Sequence, residues 1–247
     1  MPEEKINIEE LLEKAKKPSA DALKLHPFYK GKMETTLKCT VRGIDDFAIW
    51  YTPGVAAPCR DIHQDQEMVY QHTSKGNTIA VVSDGTRVLG LGDIGPKAGL
   101  PVMEGKALIF KYLGGVDAFP ICLSTKDPDE VIQAVKWIEP SFGGINLEDF
   151  SNPKRFYILD KLRAEMPIPV WHDDQQGTAA VSLAGTINAL KFVGKKMSEA
   201  RFTIVGAGAA NTRTYYVLKA AGVKPKNVIL TDSKGTIGTY RDDIRDT

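Results

Sequence analysis

The chain has 247 residues, of which 43% are hydrophobic and 26% are charged, a composition typical of a soluble α/β protein with one or two domains. Its 32 basic and 31 acidic residues leave a net charge of +1, which favours neither nucleic acid nor an anionic membrane as a partner. Three cysteines without CxxC spacing, and an acidic N-terminus without an apolar run, indicate a cytoplasmic protein with no structural zinc and no transmembrane helix.

The first third of the chain combines one helix signal with irregular segments. Apolar residues at helical spacing over 8–15 predict an amphipathic helix that ends near Pro18, so we assign residues 1–20 to an N-terminal helical extension. The segment TIAVVSDGTRVLGL, at 78–91, places an Asp-Gly pair between two apolar runs. That pattern predicts a β-hairpin.

Helix and strand patterns alternate over the rest of the chain. Pro101 predicts the start of a helix that a glycine pair ends, and Asp127 predicts the start of the next helix. Such alternation gives parallel strands with helices on the faces of the sheet, which is the α/β class. A domain boundary is expected near 175–195, where a long helix leads into a new strand–helix–strand unit.

Two acid pairs follow successive predicted strands, Glu148-Asp149 after INL and Asp173-Asp174 after PVWH. Ligands of open α/β sheets bind beyond the carboxyl ends of the strands, so we expect the two pairs at one edge. Four carboxylates there repel one another unless a metal cation or a lysine compensates, and Mg²⁺ and Mn²⁺ prefer such oxygen ligands. The alternative is that these acids cap helices or face solvent, and the spacing leaves both interpretations open.

Two further residues have a chemical and a structural interpretation. Lys106 falls in the first turn of the helix predicted from Pro101. The helix N-terminus and a nearby dication would lower the pKa of its amine, whereas neighbouring carboxylates would raise it. A lysine tuned toward neutrality is a candidate general base, and a solvated surface lysine is the alternative. Tyr51, in YTPGVA, is equally well explained as an aromatic anchor in a turn.

The segment RFTIVGAGAANTR is typical of a dinucleotide site. Gly206 and Gly208 allow a tight turn and a close approach of backbone N–H groups to a pyrophosphate, and Asn211 occupies the position of a third glycine. Asp232 ends the following strand, where an acid binds ribose hydroxyls and favours NAD. Ser233-Lys234 comes next and is able to meet a 2′-phosphate, which leaves NADP open.

With these residues together, the chain resembles the short bacterial and archaeal malic enzymes. The resemblance runs from about residue 21 to the end and rests on YTPGVA at 51–56, VVSDGTRVLGLGDIGP at 81–96, PVMEGKA at 101–107, FGGINLEDF at 142–150, HDDQQGTA at 172–179 and VGAGAA at 205–210. It implies a substrate and metal domain with a mostly parallel sheet at 21–177. A partial Rossmann-type dinucleotide-binding domain then follows at 178–247.

The same resemblance implies oxidative decarboxylation of L-malate to pyruvate and CO₂, with reduction of NAD⁺ or NADP⁺, dependence on Mg²⁺ or Mn²⁺, and a homodimer. It makes Tyr51 the general acid, acting either within its own subunit or across a subunit boundary, and Lys106 the general base. The remaining implied roles are binding of substrate by Arg87 and Lys106, metal coordination by Glu148, Asp149 and Asp174, tuning of Lys106 by Asp173, and cofactor binding by Gly206, Ala207, Gly208, Ala209, Ala210 and Asp232.

Members of that family continue well past the position that corresponds to residue 247. We therefore expect the chain to be truncated or to be one portion of a longer protein, with an incomplete dinucleotide site. Two alternatives stay open on that ground. The first is a non-catalytic fragment that binds metal and dicarboxylate. The second is an oxaloacetate decarboxylase that uses no nucleotide and needs only the sites before residue 180.

Overall fold

The computed structural model describes residues 8–244 and contains two sheets that follow one another along the chain. Its helices are α1 (Ile8–Tyr29), α2 (Phe47–Trp50), α3 (Ala56–Gln64), α4 (Val69–His72), α5 (Gly95–Gly114), α6 (Pro128–Ile138), α7 (Lys154–Glu165), α8 (Thr178–Phe192) and α9 (Ala209–Ala220). Its strands are β1 (Thr78–Ser83), β2 (Asp117–Cys122), β3 (Gly144–Leu147), β4 (Val170–His172), β5 (Phe202–Val205), β6 (Val228–Asp232) and β7 (Gly235–Thr236).

The first sheet is fully parallel, with strand order β2-β1-β3-β4 and helices on both faces. Successive side chains of β1 point to opposite faces, as the pleat of a strand requires. Val81 packs with Met103 and Ala107 of α5. Ala80 and Val82 belong to the larger core, which α6 and α7 cover. The predicted α/β class with a mostly parallel first sheet is confirmed.

The register of this sheet determines where its polar ends meet. Leu147, the last residue of β3, pairs with Val82 of β1 on one side and with His172 of β4 on the other. The strands therefore end level with one another. The residues that follow β3 and β4, which include both acid pairs, emerge side by side at one edge.

The second sheet begins the predicted Rossmann-type unit. Strands β5 and β6 are parallel and are joined by α9, and β7 adds an antiparallel edge. Ile204, Leu218 and Val223 form its core, with Leu183 of α8 packed against them. The predicted domain boundaries, after residues 20 and 177, stay predictions.

Helix α1 runs past Pro18 to Tyr29, so the predicted end of the first helix is wrong. One proline removes a single backbone hydrogen bond, and the alanine, leucine and lysine residues around it favour continued helix. Residues 1–7 of the predicted extension, and the side chains of residues 8–12, lie outside the described part of the chain. Within residues 8–244, no helix is both long enough and apolar enough to cross a membrane.

The predicted hairpin is also wrong, because no strand lies between β1 and α5. The chain turns at Gly85, which has φ +70°, and its carbonyl accepts hydrogen bonds from the N–H groups of Ile94 and Gly95. A Cβ at Gly85 would lie 2.3 Å from the carbonyl of Gly95, so the loop closes on glycine alone. Between these ends the N–H of Arg87 donates to the carbonyl of Asp149 at 2.9 Å. A bond to a distant loop thus replaces the hairpin ladder.

Helix α5 starts at Gly95, and Pro101 lies in its interior. Pro96 provides the early proline that the sequence analysis assigned to Pro101. The predicted end is confirmed, since Gly115 has left-handed geometry and caps the helix. As a result, Lys106 lies in the middle of α5 and the argument that a helix N-terminus lowers its pKa does not apply.

Candidate active site

Three carboxylates converge beyond the strand ends of the first sheet. Glu148 and Asp149 follow β3, and Asp174 belongs to a π-helical turn, Asp173–Gly177, that connects β4 to α8. One oxygen from each of the three lies within 4.8 Å of the other two. The predicted convergence of the two acid pairs at one edge is therefore confirmed, and the turn contributes Asp174 directly. We call Glu148, Asp149 and Asp174 the acid triad.

Asp149 is held by its backbone while its side chain is left available. It has φ +57°, its N–H donates to Oδ2 of Asp174 at 3.2 Å, and its carbonyl accepts from the N–H of Arg87. Its own Oδ2 is buried without a hydrogen-bond partner among residues 8–244. A buried carboxylate oxygen without a partner is costly, so this atom fits a ligand to a cation.

The protonation of the acid triad follows from its burial. Burial raises the pKa of Glu148 to about 7, against the opposing charge of Lys106. Burial, together with the charge of Asp174, raises the pKa of Asp149 to about 6. The pKa of Asp174 is also raised by burial. Three acids that resist ionisation side by side fit a hard divalent cation, which would favour their charged forms.

Lys106 lies against two of the four acids. Its Nζ donates to Oδ2 of Asp173 at 2.6 Å and is 3.2 Å from Oε1 of Glu148. Burial acts to lower the pKa of this amine, but the bond to Asp173 and the charges of both carboxylates raise it above the ordinary value. The predicted pairing of Lys106 with Asp173 is seen in the geometry. The amine is not tuned toward neutrality by the chain alone.

His172, the last residue of β4, lies beside the acid triad as an uncharged side chain. It is fully buried, and its ring meets that of Phe150 edge to face at a centroid distance of 6.2 Å. Burial lowers the pKa of His172 to about 3, so the imidazole is neutral. Its Nδ1 is 3.7 Å from Oδ2 of Asp174, which is too long for a direct hydrogen bond. The ring thus adds no positive charge beside the triad, and both of its nitrogens are buried without a hydrogen-bond partner among residues 8–244.

A cavity of about 390 Å³ opens above the acid triad and reaches the second sheet. Arg87 lines it although the residue is mostly exposed, and its Nη1 donates to the carbonyl of Leu89 at 3.1 Å. The cavity is lined by residues from both halves of the molecule, namely Arg87, Leu89, Val102, Glu148, Asp149, Arg155, Asp174, Thr178, Gly208, Ala209, Ala210 and Asn211.

The start of α9 forms the far wall of this cavity. Gly206 takes the left-handed geometry of φ +95°, and Gly208 is the N-terminal cap of α9. The Nδ2 of Asn211 donates to the carbonyls of Val205 and Gly206, each at 2.8 Å, so this side chain ties the turn to the strand. The unpaired N–H groups of a helix N-terminus suit a phosphate, and here they face the acid triad across the cavity.

Asp232 stands where a ribose-binding acid is predicted, at the end of β6, but it already has partners. Its Oδ1 accepts from Nη1 of Arg241 at 2.7 Å and from the N–H of Lys234 at 2.8 Å. The bond to Arg241 lowers the pKa of Asp232. A ribose would therefore have to share or displace the arginine.

Neither predicted catalytic residue lines the cavity, but Lys106 contacts Glu148 of the acid triad. Tyr51 is 67% exposed and, within residues 8–244, has no hydrogen bond or ion pair with the triad. Among the described residues its hydroxyl has no hydrogen-bond partner. Large apolar residues near it in sequence are also exposed, among them Ile44 at 83%, Ile49 at 62% and Trp50 at 53%.

Two features of the site were missed by the sequence analysis. Asp84, fully buried after β1, accepts a hydrogen bond from Nζ of Lys154 at 2.5 Å, a contact across 70 residues that no local pattern announces. Arg155, at the start of α7, is 9% exposed and lines the cavity. A local signal existed for Arg155, because it precedes Ile158, Leu159 and Leu162 at the spacing of one buried helix face.

Comparison with known proteins gives one consistent match. The family model of the malic enzyme N-terminal domain matches residues 30–128 and 124–163, and that of the malic enzyme NAD binding domain matches residues 175–247. A bifunctional malic/malolactic enzyme of Bacillus subtilis is 52% identical over 217 residues, which are 88% of this chain and 52% of the relative. An NAD-dependent malic enzyme of Geobacillus stearothermophilus is 55% identical over 213 residues, 86% of this chain and 44% of the relative.

The crystal structure of the Entamoeba histolytica malic enzyme superposes with a TM-score of 0.92 at 47% identity, covering 99% of this chain and 51% of that one. Relatives named as NAD-dependent and as NADP-dependent malic enzymes both occur among the matches. The chain spans about half the length, or less, of the curated relatives it matches.

Proposed function

Because the chain belongs to the malic enzyme family, we propose that the protein catalyses oxidative decarboxylation of L-malate to pyruvate and CO₂. NAD⁺ or NADP⁺ is the proposed hydride acceptor, and Mg²⁺ or Mn²⁺ the proposed metal. One observation carries the proposal: three carboxylates, two buried and one half-buried, and the start of α9, a phosphate-binding type of helix end, line a single cavity. A metal-bound substrate and a dinucleotide would meet there.

The acid triad is the proposed metal site, with Glu148, Asp149 and Asp174 as ligands. When bound, the cation supplies Lewis acidity at the substrate oxygens and offsets carboxylate charge beside Lys106, and the dinucleotide supplies the hydride acceptor. The N–H groups over Gly206–Ala210 are the proposed cradle of its pyrophosphate. Asp232 is the proposed ribose contact.

Lys106 is the proposed general base. In its neutral form Nζ accepts the proton of the malate hydroxyl as hydride leaves the same carbon. Asp173, at 2.6 Å, then holds the resulting ammonium in place. Arg87 binds a substrate carboxylate, for which its guanidinium has the matching planar geometry. These assignments ask each side chain to act where charge develops during the reaction.

Tyr51 is the proposed general acid, which gives a proton to the carbon that loses CO₂. We propose that it acts on the site of a second copy of the chain, in a homodimer. Support comes from its 67% exposure and from the exposed apolar residues around it, which suit an interface between subunits. In such a dimer each cavity would receive a tyrosine from its neighbour.

The proposed reaction is tested by absorbance of the reduced nicotinamide with L-malate, Mn²⁺ and either NAD⁺ or NADP⁺. The rates with the two cofactors give the preference. Lys106→Met should reduce the rate by at least about 100-fold, because positioned proton transfer contributes that much or more. Lys111→Met, on the exposed part of α5 where Lys111 pairs with Asp117, is the control and should keep the wild-type rate. Equal rates in both variants would refute the role of Lys106.

Two other results would each identify an alternative. If malate and Mn²⁺ jointly raise the melting temperature while no NADH or NADPH forms at any protein concentration, the chain is a binding module rather than a dehydrogenase. If CO₂ is released from oxaloacetate above the background of the metal alone, without nucleotide, the chain is a decarboxylase. Failure of both malate and Mn²⁺ to bind would reject the proposal altogether.

The role of Tyr51 across the dimer is tested by mixing two inactive variants, Tyr51→Phe and Lys106→Met. A mixed dimer then has one site with an intact lysine and an intact tyrosine from its neighbour. Random reassociation should restore about a quarter of the wild-type activity, since half of the dimers are mixed and each has one of two sites intact. If the tyrosine acts within its own chain, the mixture stays inactive.

A further inference from the structure

Arg155 reaches the cavity from the first turn of α7 with most of its hydrogen-bonding capacity unused. Only 9% of its surface is exposed, and its Nε donates to Oδ1 of Asn152 at 2.5 Å. Within residues 8–244, its two terminal nitrogens have no hydrogen-bond or ion-pair partner. The guanidinium is thus anchored at one atom and free at the other two.

A buried guanidinium whose terminal nitrogens have no partner lowers the stability of the fold. Burial lowers the pKa of Arg155, although the nearby charges of Asp174 and Asp149 act to raise it. Arginine keeps its charge in proteins in spite of such burial. A buried cation with free donors is most easily explained by an anion that arrives with a ligand, because burial of a charge is repaid by pairing and hydrogen bonds.

The lining of the cavity narrows the choice of that anion. The start of α9 already offers backbone N–H groups to a phosphate, on the far wall. Arg155 instead belongs to α7, which covers the first sheet, and the charges that act on its pKa are those of Asp174, Arg87 and Asp149. A planar guanidinium binds a carboxylate or a phosphate through two parallel hydrogen bonds, so location decides between them. Because Arg155 lies within the field of Asp174 and Asp149, where a metal-bound substrate would lie, its position favours a carboxylate of the substrate over a phosphate of the dinucleotide.

We propose that Arg155 binds the second carboxylate of the dicarboxylate substrate, the one that Arg87 does not hold. This proposal rests on the proposed function. Arg155 then selects dicarboxylates over 2-hydroxy monocarboxylates. A substrate that lacks the second carboxylate would leave the guanidinium buried and unpaired, and unpaired buried groups are the strongest source of discrimination between analogues.

The proposal is tested by calorimetric titration of the full chain, in the presence of Mn²⁺, with L-malate and with L-lactate, a 2-hydroxy acid without the second carboxylate. Arg155→Met should weaken malate binding by at least about 30-fold and leave lactate binding within about twofold of wild type. Arg155→Lys keeps the charge without the planar fork and should fall between. Arg163→Met, the same change on the exposed part of α7, should match wild type.

Each other outcome decides against the proposal in a recognisable way. An unchanged ratio of malate to lactate affinity in a folded Arg155→Met variant overturns it while leaving the proposed function intact. Weakened binding of ADP-ribose, with malate unaffected, assigns Arg155 to a phosphate and also overturns it. If wild type binds Mn²⁺ but not malate, the proposed function fails first and this proposal with it. Melting temperatures without ligand show whether each variant is folded, and Arg155→Gln replaces Arg155→Met if the latter is not.

Discussion

The strand ends of the first sheet and the segment that contains Tyr51 are built in opposite ways. At the strand ends, Asp84 and Glu148 are buried, paired and aligned by the register of β1, β3 and β4. Around Tyr51, large apolar side chains such as Ile44 and Trp50 face outward. Both regions contain residues that the family resemblance implies for catalysis. The sheet thus positions one set by itself, whereas in the proposed homodimer the other set would act on the site of the neighbouring copy.

The largest loss of stability is expected when the buried ion pair between Lys154 and Asp84 is removed. Lys154→Met should lower the free energy of unfolding by about 3–5 kcal/mol, because it leaves the carboxylate of Asp84 buried without its cation. Asp84 also fixes Thr86 through two hydrogen bonds, and Thr86 is next to Arg87, so malate affinity should fall as well. Urea unfolding and calorimetric titration measure the two effects.

A matched control for this change lies at the other end of the same sheet. Lys75 is also buried, and its Nζ is 2.9 Å from Oε1 of Glu139, far from the strand ends that hold the triad. Lys75→Met should lower stability less than Lys154→Met, because Glu139 is more exposed than Asp84, and should leave the dissociation constant of malate unchanged. An equal loss of malate affinity in both variants would mean that the Asp84 pair acts on the whole fold and not on Arg87.

Asp149→Asn should weaken Mn²⁺ binding by more than about 100-fold, since even outer partners of metal ligands contribute 10- to 100-fold. Asparagine tolerates the left-handed backbone of this position, so the fold should persist. Free Mn²⁺ measured by electron paramagnetic resonance gives the affinity. Asp160→Asn, on the exposed face of α7, is the control. Unchanged Mn²⁺ affinity in Asp149→Asn would remove the triad as the metal site.

The raised pKa of Glu148 predicts that the free energy of unfolding of the metal-free protein depends on pH. Since the folded state binds this proton more tightly than the unfolded chain, stability falls as pH rises from about 4.5 to about 7. The charge of Lys106 acts to lower the pKa of Glu148 and so reduces this loss of stability, whereas the charges of Asp174 and Asp173 raise the pKa and increase the loss. Glu148→Gln removes the titration, so the stability of this variant relative to wild type should increase across that range by about 3 kcal/mol.

Chemical unfolding at several pH values measures this difference. With saturating Mn²⁺ the order should reverse, because the metal binds the ionised wild-type carboxylate. A difference that stays constant between pH 4 and 8 in the metal-free proteins would show that Glu148 titrates as an ordinary surface acid.

The smallest effect on stability is expected in the exposed region. Trp50→Ser should change the free energy of unfolding of the monomer by no more than about 0.5 kcal/mol, because this ring is 53% exposed. It should nevertheless raise the dissociation constant of the dimer, seen by sedimentation velocity. Trp137→Ser, at a ring 74% exposed on α6, is the control and should leave association unchanged. Identical sedimentation of both variants would place the dimer contact elsewhere.

The sequence predicts well those features of this molecule that depend on the ends of strands and helices. The convergence of Glu148-Asp149 with Asp173-Asp174 follows from two adjacent parallel strands. The helix cap at Asp127 follows from local sequence, because its carboxylate accepts hydrogen bonds from the N–H groups of Asp129 and Glu130. The pairing of Lys106 with Asp173 came only from the family resemblance.

What the sequence does not predict depends on contacts between distant segments. The loop after β1 resembles a hairpin locally, yet the bond from Arg87 to Asp149 holds it open. The start of α5 was misplaced because Pro96 and Pro101 give the same local signal, and packing along the whole helix decides between them. Arg155 was overlooked although it interrupts an apolar helix face, because an isolated charge there has many structural explanations.

The π-helical turn at Asp173–Gly177 has a consequence for how the two halves of the molecule communicate. Asp174 belongs to this turn, which runs directly into α8, and Leu183 of α8 packs in the core that includes Leu218 of α9. We therefore expect any rotation of the second sheet toward the first to move Asp174 through α8. Such coupling is reciprocal. A cation that fixes Asp174 should raise the affinity for a nucleotide by the same factor as the nucleotide raises the affinity for the cation.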